Sequence, residues 1–243
     1  MKSQKLIIVV LICLSIALDL NSQASEDSKE WLEWKFKTSG MVCSSPVISD
    51  GVFYACHIST GSLAWKYDTK VDGTFPWVNA IHGKPLVSGG HVYFAGRSCR
   101  LYSLDIRTGK KNWHYSSPSD QWLLGGPEIE DGVVYQGSSD QFLFHAINAT
   151  NGTLCWTADM DGSTWGRATV KGDKVYQGAN SFYTIDAKTG EILKQYMFPK
   201  VHEEKKYGEY IDRTANFHSS PLLYDGMIIL GSDNGHIYAI REL

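Results

Sequence analysis

Short, largely apolar segments alternate with tight turns along most of the chain, and the same order returns five times. The opening segments of these units lie at 46–48, 85–87, 127–129, 168–170 and 221–223. A pair of residues rich in Asp and Gly follows, as in Asp131-Gly132 and Asp225-Gly226. Such pairs tolerate the positive φ angles of two-residue hairpins. The pattern therefore predicts a β-hairpin at the start of each unit.

More strands follow the first hairpin turn of each unit. The returning strand carries a tyrosine in register, at Tyr54, Tyr93, Tyr135 and Tyr176. A third strand then ends in an Asp- or Asn-rich turn that closes on glycine, where a fourth strand begins. The β-branched and aromatic content of these segments favours strands over helices.

Tryptophan holds one fixed position in the fourth strand. Trp65, Trp113 and Trp156 each stand four residues after the turn glycine, and Trp34 stands in a similar segment near the N-terminus. An indole repeated once per unit predicts a structural role, covering the seam between neighbouring sheets. The fourth unit has Lys194 at this position, so a weaker seam is expected there.

Repeating units of roughly 40 residues with four antiparallel strands are typical of β-propeller blades. We therefore predict an all-β fold, a propeller of about five four-stranded blades. The first unit is short between Gly51 and Thr60, which predicts that the first blade lacks a strand. The last unit stops at Leu243 before its fourth strand, whereas residues 31–36 resemble one. Pairing of the N- and C-terminal strands would close the ring and remove exposed sheet edges.

The N-terminus has the features of an export signal. Lys2 and Lys5 precede an apolar run at 6–18, and Ser22-Gln23-Ala24 has the form of a small-x-small cleavage site. The run is shorter than the roughly 20 residues of a spanning helix, so stable membrane insertion is not expected. We predict a signal peptide at 1–24 and a propeller domain at 25–243, in a protein that is secreted to the extracellular space or, in a bacterium, to the periplasm.

Composition excludes some functions and leaves others open. The net charge is −3 with scattered basic residues, which argues against nucleic acid. The histidines have no paired metal-ligand spacing, so no metal site is expected. Asn148 and Asn151 begin two sequons and are glycosylation candidates. Four cysteines follow residue 24, and both disulfides and buried thiols stay open for Cys43, Cys56, Cys99 and Cys155.

Aromatic and basic residues gather in the loops that join one blade's fourth strand to the next blade's first. The candidates for a ligand mouth are Trp77, Trp122, Trp165, Arg167, Lys84, Arg213 and His218. In a propeller these loops converge on one face, where aromatic platforms and cations suit a planar or acidic ligand. The alternative is that the rings only fill gaps between blades.

Two stretches carry a resemblance to a known family. Residues 44–54 (SSPVISDGVFY) and 175–190 (VYQGANSFYTIDAKTG) resemble the repeats of the pyrroloquinoline-quinone-like (PQQ-like) propeller superfamily. This superfamily includes quinoprotein alcohol dehydrogenases, polyvinyl-alcohol-dehydrogenase-like proteins and the bacterial outer-membrane assembly lipoprotein. The resemblance implies a propeller but no single activity, because one fold hosts many functions.

The resemblance leaves two main functional hypotheses. A PQQ-dependent dehydrogenase of this superfamily implies vicinal cysteines over the cofactor, a tryptophan floor and oxygen ligands around calcium, yet the chain has no adjacent cysteines. We therefore expect a secreted, non-catalytic binding module or scaffold without a cofactor, whose loop face binds a protein, glycan or small ligand. The alternative is a quinoprotein alcohol oxidoreductase with PQQ and calcium, in which Trp122 or Trp165 stacks on the quinone and Arg167 holds its carboxylates. A truncated product without activity is a third hypothesis.

Overall fold

The computed structural model describes residues 6–8, 47–49, 52–53, 55–57, 62–72, 81–118, 120, 122–198 and 216–242. The regular structure in these ranges is strand, apart from one short 3-10 helix at Thr69–Asp72. The predicted all-β class is confirmed.

Nineteen strands in the described residues form five antiparallel sheets. The first sheet contains β1 (Leu6–Ile8), β2 (Val47–Ser49), β3 (Val52–Phe53) and β4 (Ala55–His57). The second contains β5 (Ile81–Ser88), β6 (His91–Gly96), β7 (Arg100–Asp105) and β8 (Lys111–Ser116). The third contains β9 (Glu128–Glu130), β10 (Val133–Gly137), β11 (Leu143–Asn148) and β12 (Leu154–Asp159). The fourth contains β13 (Thr169–Lys171), β14 (Lys174–Gly178), β15 (Phe182–Asp186) and β16 (Ile192–Tyr196). The fifth contains β17 (Leu222–Tyr224), β18 (Met227–Gly231) and β19 (Ile237–Arg241).

The second, third and fourth sheets are four-stranded meanders with the strands in chain order, which is the arrangement of propeller blades. Their hairpins form at the predicted pairs. Asp131 and Gly132 both have positive φ, at 48° and 76°, as a hairpin turn of this kind requires.

The first sheet departs from this arrangement. Its own unit supplies three short strands, β2 to β4, and β1 pairs with β2 from within the predicted signal peptide. The signal peptide itself stays a prediction. Residues 62–68 form no regular strand, although Leu63 makes an isolated bridge.

The seams between sheets repeat one contact. Trp65, Trp113 and Trp156 are at most 9% exposed, and each donates its indole N–H to a carbonyl in the following sheet. The acceptors are Ile106, Ala149 and Ala187, at 3.0, 2.9 and 3.1 Å respectively. Each ring lies against the turn glycine of that sheet: a Cβ on Gly152 would stand 2.7 Å from ring carbons of Trp113. Trp34 lies outside the described residues.

A different contact joins the fourth and fifth sheets, where Lys194 replaces tryptophan. The Tyr176 hydroxyl donates to the Glu242 carboxylate, and Lys171 and Lys174 approach the same carboxylate at 3.3 and 3.7 Å. The hydrogen bond from Tyr176 and the nearby lysines lower the pKa of Glu242, although desolvation opposes them. This seam therefore uses a charged network where the others use an indole.

Removing the Tyr176 hydroxyl is expected to weaken that network. Because the hydroxyl is buried and bonds to a carboxylate, Tyr176→Phe should cost on the order of 1 kcal/mol in the free energy of unfolding at pH 7. The cost should shrink as the pH falls through the lowered pKa of Glu242, because that stabilisation exists only while the carboxylate is charged. Urea denaturation at pH 7 and pH 3 measures both values, and an equal cost at the two pH values would contradict the charged contact.

The fifth sheet has one covered and one exposed face. Ile228 and Leu230 are buried against the fourth sheet. On the opposite face Ile237 is 80% exposed, whereas Phe144 and Phe182, at the same register position in the third and fourth sheets, are fully buried. The predicted fourth strand for this sheet, residues 31–36, and hence the predicted ring closure, lies outside the described residues.

Candidate functional site

The inner strands of four successive sheets meet at a cavity of about 390 Å³. Each sheet contributes residues at or just before its first strand, and the walls are Gly83, Lys84, Gly126, Trp165, Gly166, Arg167, His218 and Ser220. The cavity therefore lies where the blades converge, and we call it the mouth.

Glycines allow the inner segments to approach one another by their backbones. A Cβ on Gly83 would stand 2.7 Å from the Gly126 nitrogen, and one on Gly166 would stand 2.6 Å from the Ser219 carbonyl oxygen. Real side chains do not fit at such distances, so any larger residue at Gly166 would push two blades apart.

Two buried glutamines fix these segments from behind. Gln136 Nε2 donates to the carbonyls of Gly125 and Gly137, at 2.8 and 2.9 Å. Gln177 repeats this one sheet later, donating to Gly166 at 3.3 Å and Gly178 at 2.8 Å. Side chains in the second strands of the third and fourth sheets thus hold the wall segments at Gly125 and Gly166 in place.

Arg167 reaches from the fourth sheet to the second. Its guanidinium donates to the Lys84 carbonyl at 3.1 Å, and Nη1 lies 3.6 Å from the Glu128 carboxylate. Burial lowers the pKa of Arg167 from its ordinary value, and the Glu128 charge opposes that shift. Arg167 therefore lines the mouth and is held by groups from the second and third sheets.

An aromatic pair forms one wall of the mouth. The rings of Trp165 and His218 are stacked with centroids 4.3 Å apart, and His218 Nδ1 lies 2.8 Å from an Asp233 oxygen. Trp165 remains 46% exposed, so one side of its indole is open to a ligand. Lys84 is also exposed and has no ion pair with the described residues.

The structure brings together four of the seven residues that the sequence predicts for the mouth. These are Lys84, Trp165, Arg167 and His218. Trp122 lies apart, with the Arg97 guanidinium 4.6 Å from its ring centroid. Trp77 and Arg213 lie outside the described residues. The sequence analysis predicts no role at the mouth for Glu128, Asp233 or the two glutamines. The repeated Tyr-Gln-Gly at 135–137 and 176–178 is a pattern from which the glutamines could have been identified.

The other candidates lie away from the mouth. Asn148 and Asn151 occupy the turn between β11 and β12, where Asn148 Oδ1 accepts from the Thr150 N–H at 2.9 Å. Cys99 is a buried free thiol that donates to the Asp120 carbonyl at 2.9 Å, and burial raises its pKa to about 11. Cys155 is exposed and free. Cys43 lies outside the described residues, so its pairing with Cys56 stays open.

The described residues hold no group of three or more His, Cys, Asp or Glu side chains placed to bind a metal ion. They also contain no helix with the length and apolar character needed to span a bilayer.

This combination of repeated four-stranded sheets, indole-glycine seams and a mouth at the inner strands defines a PQQ-like repeat propeller. The family described as outer membrane protein assembly factor BamB matches residues 24–119, 49–200 and 140–242. The chain therefore belongs to this family.

Known relatives include assembly factors and alcohol dehydrogenases. The outer membrane protein assembly factor BamB of Yersinia pestis is 24% identical over 205 residues, covering 78% of this chain and 49% of that protein. The quinohemoprotein alcohol dehydrogenase ADH-IIG of Pseudomonas putida is 27% identical over 222 residues, covering 79% and 29%. The chain thus spans half or less of the length of these relatives.

Solved structures show the same fold. BamB from Moraxella catarrhalis superposes with a TM-score of 0.54 at 22% identity, over 76% of this chain and 54% of that one. The quinohemoprotein alcohol dehydrogenase from Comamonas testosteroni gives 0.62 at 18% identity, over 82% and 41%. Both an outer membrane protein assembly factor and an alcohol dehydrogenase are therefore among the chains that share this architecture.

Proposed function

We propose that the chain is an exported, non-catalytic propeller that binds a partner protein at its mouth. The observation that carries this proposal is the position of Arg167, which lines the mouth and whose guanidinium contacts the Lys84 backbone carbonyl and the Glu128 carboxylate. The relatives named as outer membrane protein assembly factors support a scaffold role, and they support a protein partner over a glycan or a small molecule. The export signal predicted at 1–24 and the periplasmic or outer-membrane setting of such a factor agree with each other.

The dehydrogenase alternative draws on the quinohemoprotein relatives and on the mixture of cations with an indole at the mouth. The residues present do not fit PQQ with calcium. Among the described residues Glu128 faces Arg167 and Asp233 faces His218, so these two carboxylates are already engaged by basic side chains and do not form a set of oxygens for a metal. One face of Trp165 is covered by His218, and the guanidinium of Arg167 is bound to backbone oxygen. We derive no redox step from this site.

An attempt to reconstitute the enzyme tests the proposal. The exported protein, whose intact mass reports whether residues 1–24 are removed, is incubated with PQQ and calcium and then assayed for alcohol-dependent dye reduction. We expect no turnover above the buffer background and no quinone absorbance retained after gel filtration. Turnover that scales with protein, or quinone retained near one equivalent, would overturn the non-catalytic proposal.

A further inference from the structure

We infer that the mouth binds a carboxylate that lies next to an aromatic or other flat group, carried by a segment of a partner protein. This inference rests on the proposed function and names the chemistry that the mouth recognises. The carboxylate and the flat group correspond to two walls of the cavity, Lys84 and the exposed side of Trp165.

The charges around the mouth favour an anion. Arg167 faces Glu128 at 3.6 Å and His218 faces Asp233 at 2.8 Å, so each of these cationic or basic groups has a carboxylate neighbour. Lys84 lines the cavity, is exposed and makes no ion pair in the described part of the chain. One lysine without an ion pair at the mouth predicts binding of a single carboxylate rather than a polyanion.

The opposite wall favours a flat group. The Trp165 indole is held by its stack on His218, and the Asp233 contact fixes the imidazole in turn. Because the indole is 46% exposed and already oriented, it can stack with a second ring or with a peptide plane at little cost in side-chain entropy. A ligand that spans both walls therefore satisfies a charge and a stacking contact together.

The size of the mouth limits the ligand to a short segment. A volume of about 390 Å³ lies near the lower end of the range for small-ligand pockets, roughly 300–1,000 Å³. It accommodates one or two side chains of an extended peptide. The backbone contacts at Gly83 and Gly166 leave the walls little freedom to widen, so a larger group would need to remain outside.

Three N-acetylated dipeptides test the inference on the full exported chain. The first is phenylalanyl-glutamate amide, the second is its phenylalanyl-glutamine counterpart, and the third is glycyl-phenylalanine with a free C-terminal carboxylate. Dissociation constants come from titrations followed by NMR at the indole N–H signals. We expect the first or third peptide to bind at least tenfold more tightly than the neutral one, and the better of the two shows whether a side-chain or a terminal carboxylate is preferred.

Two variants assign the contacts. Lys84→Met should weaken the acidic peptide at least tenfold and the neutral peptide less than twofold, whereas Trp165→Ala should weaken both. Lys110→Met and Trp122→Ala are the matched controls. Lys110 directly precedes β8, at the end of that strand away from the mouth-side loop, and Trp122 lies outside the cavity. Both controls should bind like the unmodified protein. All four side chains are at least partly exposed, and thermal unfolding checks that the variants fold.

Equal affinity for the acidic and neutral peptides, or an unchanged affinity in Lys84→Met, would overturn the inference. Such a result leaves the non-catalytic proposal standing if the PQQ assay shows no turnover. Turnover in that assay would overturn the proposed function whatever the peptides do, so the two failures can be told apart.

Discussion

Replacing Trp156 by alanine is expected to lower the free energy of unfolding by about 3–5 kcal/mol. The indole is 9% exposed, donates to the Ala187 carbonyl at 3.1 Å and packs on the Gly190 turn of the fourth sheet. It also contacts Tyr135 within its own sheet, with centroids 5.9 Å apart. Truncation therefore removes apolar burial and one hydrogen bond at the same seam.

Trp165→Ala is the matched control for this loss. The Trp165 indole is 46% exposed, and its ring contact is with His218 at the mouth, so its truncation should cost less than about 1 kcal/mol. Urea denaturation followed by far-UV circular dichroism measures both variants. Similar losses in the two variants would contradict a specific structural role for the tryptophan of the fourth strand.

The repeated features of the fold were predictable because each is set by neighbours in sequence. An Asp-Gly pair selects a hairpin with positive φ whatever surrounds it, and Asp131 and Gly132 adopt that geometry. The spacing of Gly152 and Trp156 likewise predicts a tryptophan at a fixed place on the outer strand, although the glycine under each ring belongs to the following sheet: Trp113 lies on Gly152 and Trp156 on Gly190. Local sequence rules thus predict the strands and turns of each blade. The regular repeat then explains why the tryptophan of one sheet packs on the glycine turn of the following sheet.

The mouth was predictable only in part, because its contacts join residues far apart in the chain. The sequence places Trp122 and Trp165 in equivalent loops, but Trp165 meets His218 from the next sheet whereas Trp122 meets Arg97. Phe217, in the corresponding loop of the fifth sheet, is fully buried and packs against Phe182 and Phe198, away from the mouth. The bond from Arg167 to Lys84 crosses 83 positions, and no local pattern encodes it.

The seam at Lys194 was predictable only in part, because the sequence shows the missing tryptophan but not the contact that replaces it. The missing tryptophan predicts a weaker contact between the fourth and fifth sheets. In place of the indole, the Glu242 carboxylate accepts a hydrogen bond from the Tyr176 hydroxyl and forms ion pairs with Lys171 and Lys174. Glu242 follows the third strand of its sheet, at the position that Ile106, Ala149 and Ala187 hold in the earlier sheets. The earlier residues accept through backbone carbonyls, so the repeat pattern does not predict a contact made by the side chain at this position.

Lowering the pH from 7 to 4 is expected to destabilise the protein by about 3 kcal/mol through His145 alone. His145 is fully buried in β11, and burial lowers its pKa to about 4. Its Nδ1 lies 3.3 Å from the Gln136 carbonyl, which a neutral imidazole can satisfy by donating from that nitrogen, while Nε2 has no hydrogen-bond partner among the described residues. The edge contact with Tyr115 supplies no charge to stabilise an imidazolium.

The direction of this effect follows from proton uptake on unfolding. Above about pH 6.5 His145 is neutral in both states, so its protonation does not affect the free energy of unfolding. Between about pH 6.5 and 4 the unfolded chain takes up a proton at His145 that the folded chain does not. Stability is therefore lost across that interval, and the loss levels off once the folded imidazole is also protonated. His145→Phe should remove this pH-dependent contribution, because phenylalanine does not titrate. The fold should accept the ring, since Tyr102 and Tyr183 occupy the same register position in the third strands of the neighbouring sheets.

Urea denaturation of the unmodified protein and of His145→Phe at pH 7, 5.5 and 4 measures the pH dependence of stability. The comparison separates the contribution of His145 from that of the carboxylates, which titrate in both proteins. The difference in unfolding free energy between the two proteins should change by about 3 kcal/mol from pH 7 to pH 4, in favour of the variant at low pH. His91→Gln is the control, because His91 lies at the start of β6 next to a turn and contacts Asn112 at the sheet surface. A difference that stays constant with pH would mean that folding leaves the pKa of His145 unchanged, as for a solvated imidazole. The burial of His145 at the seam between the second and third sheets would then be wrong.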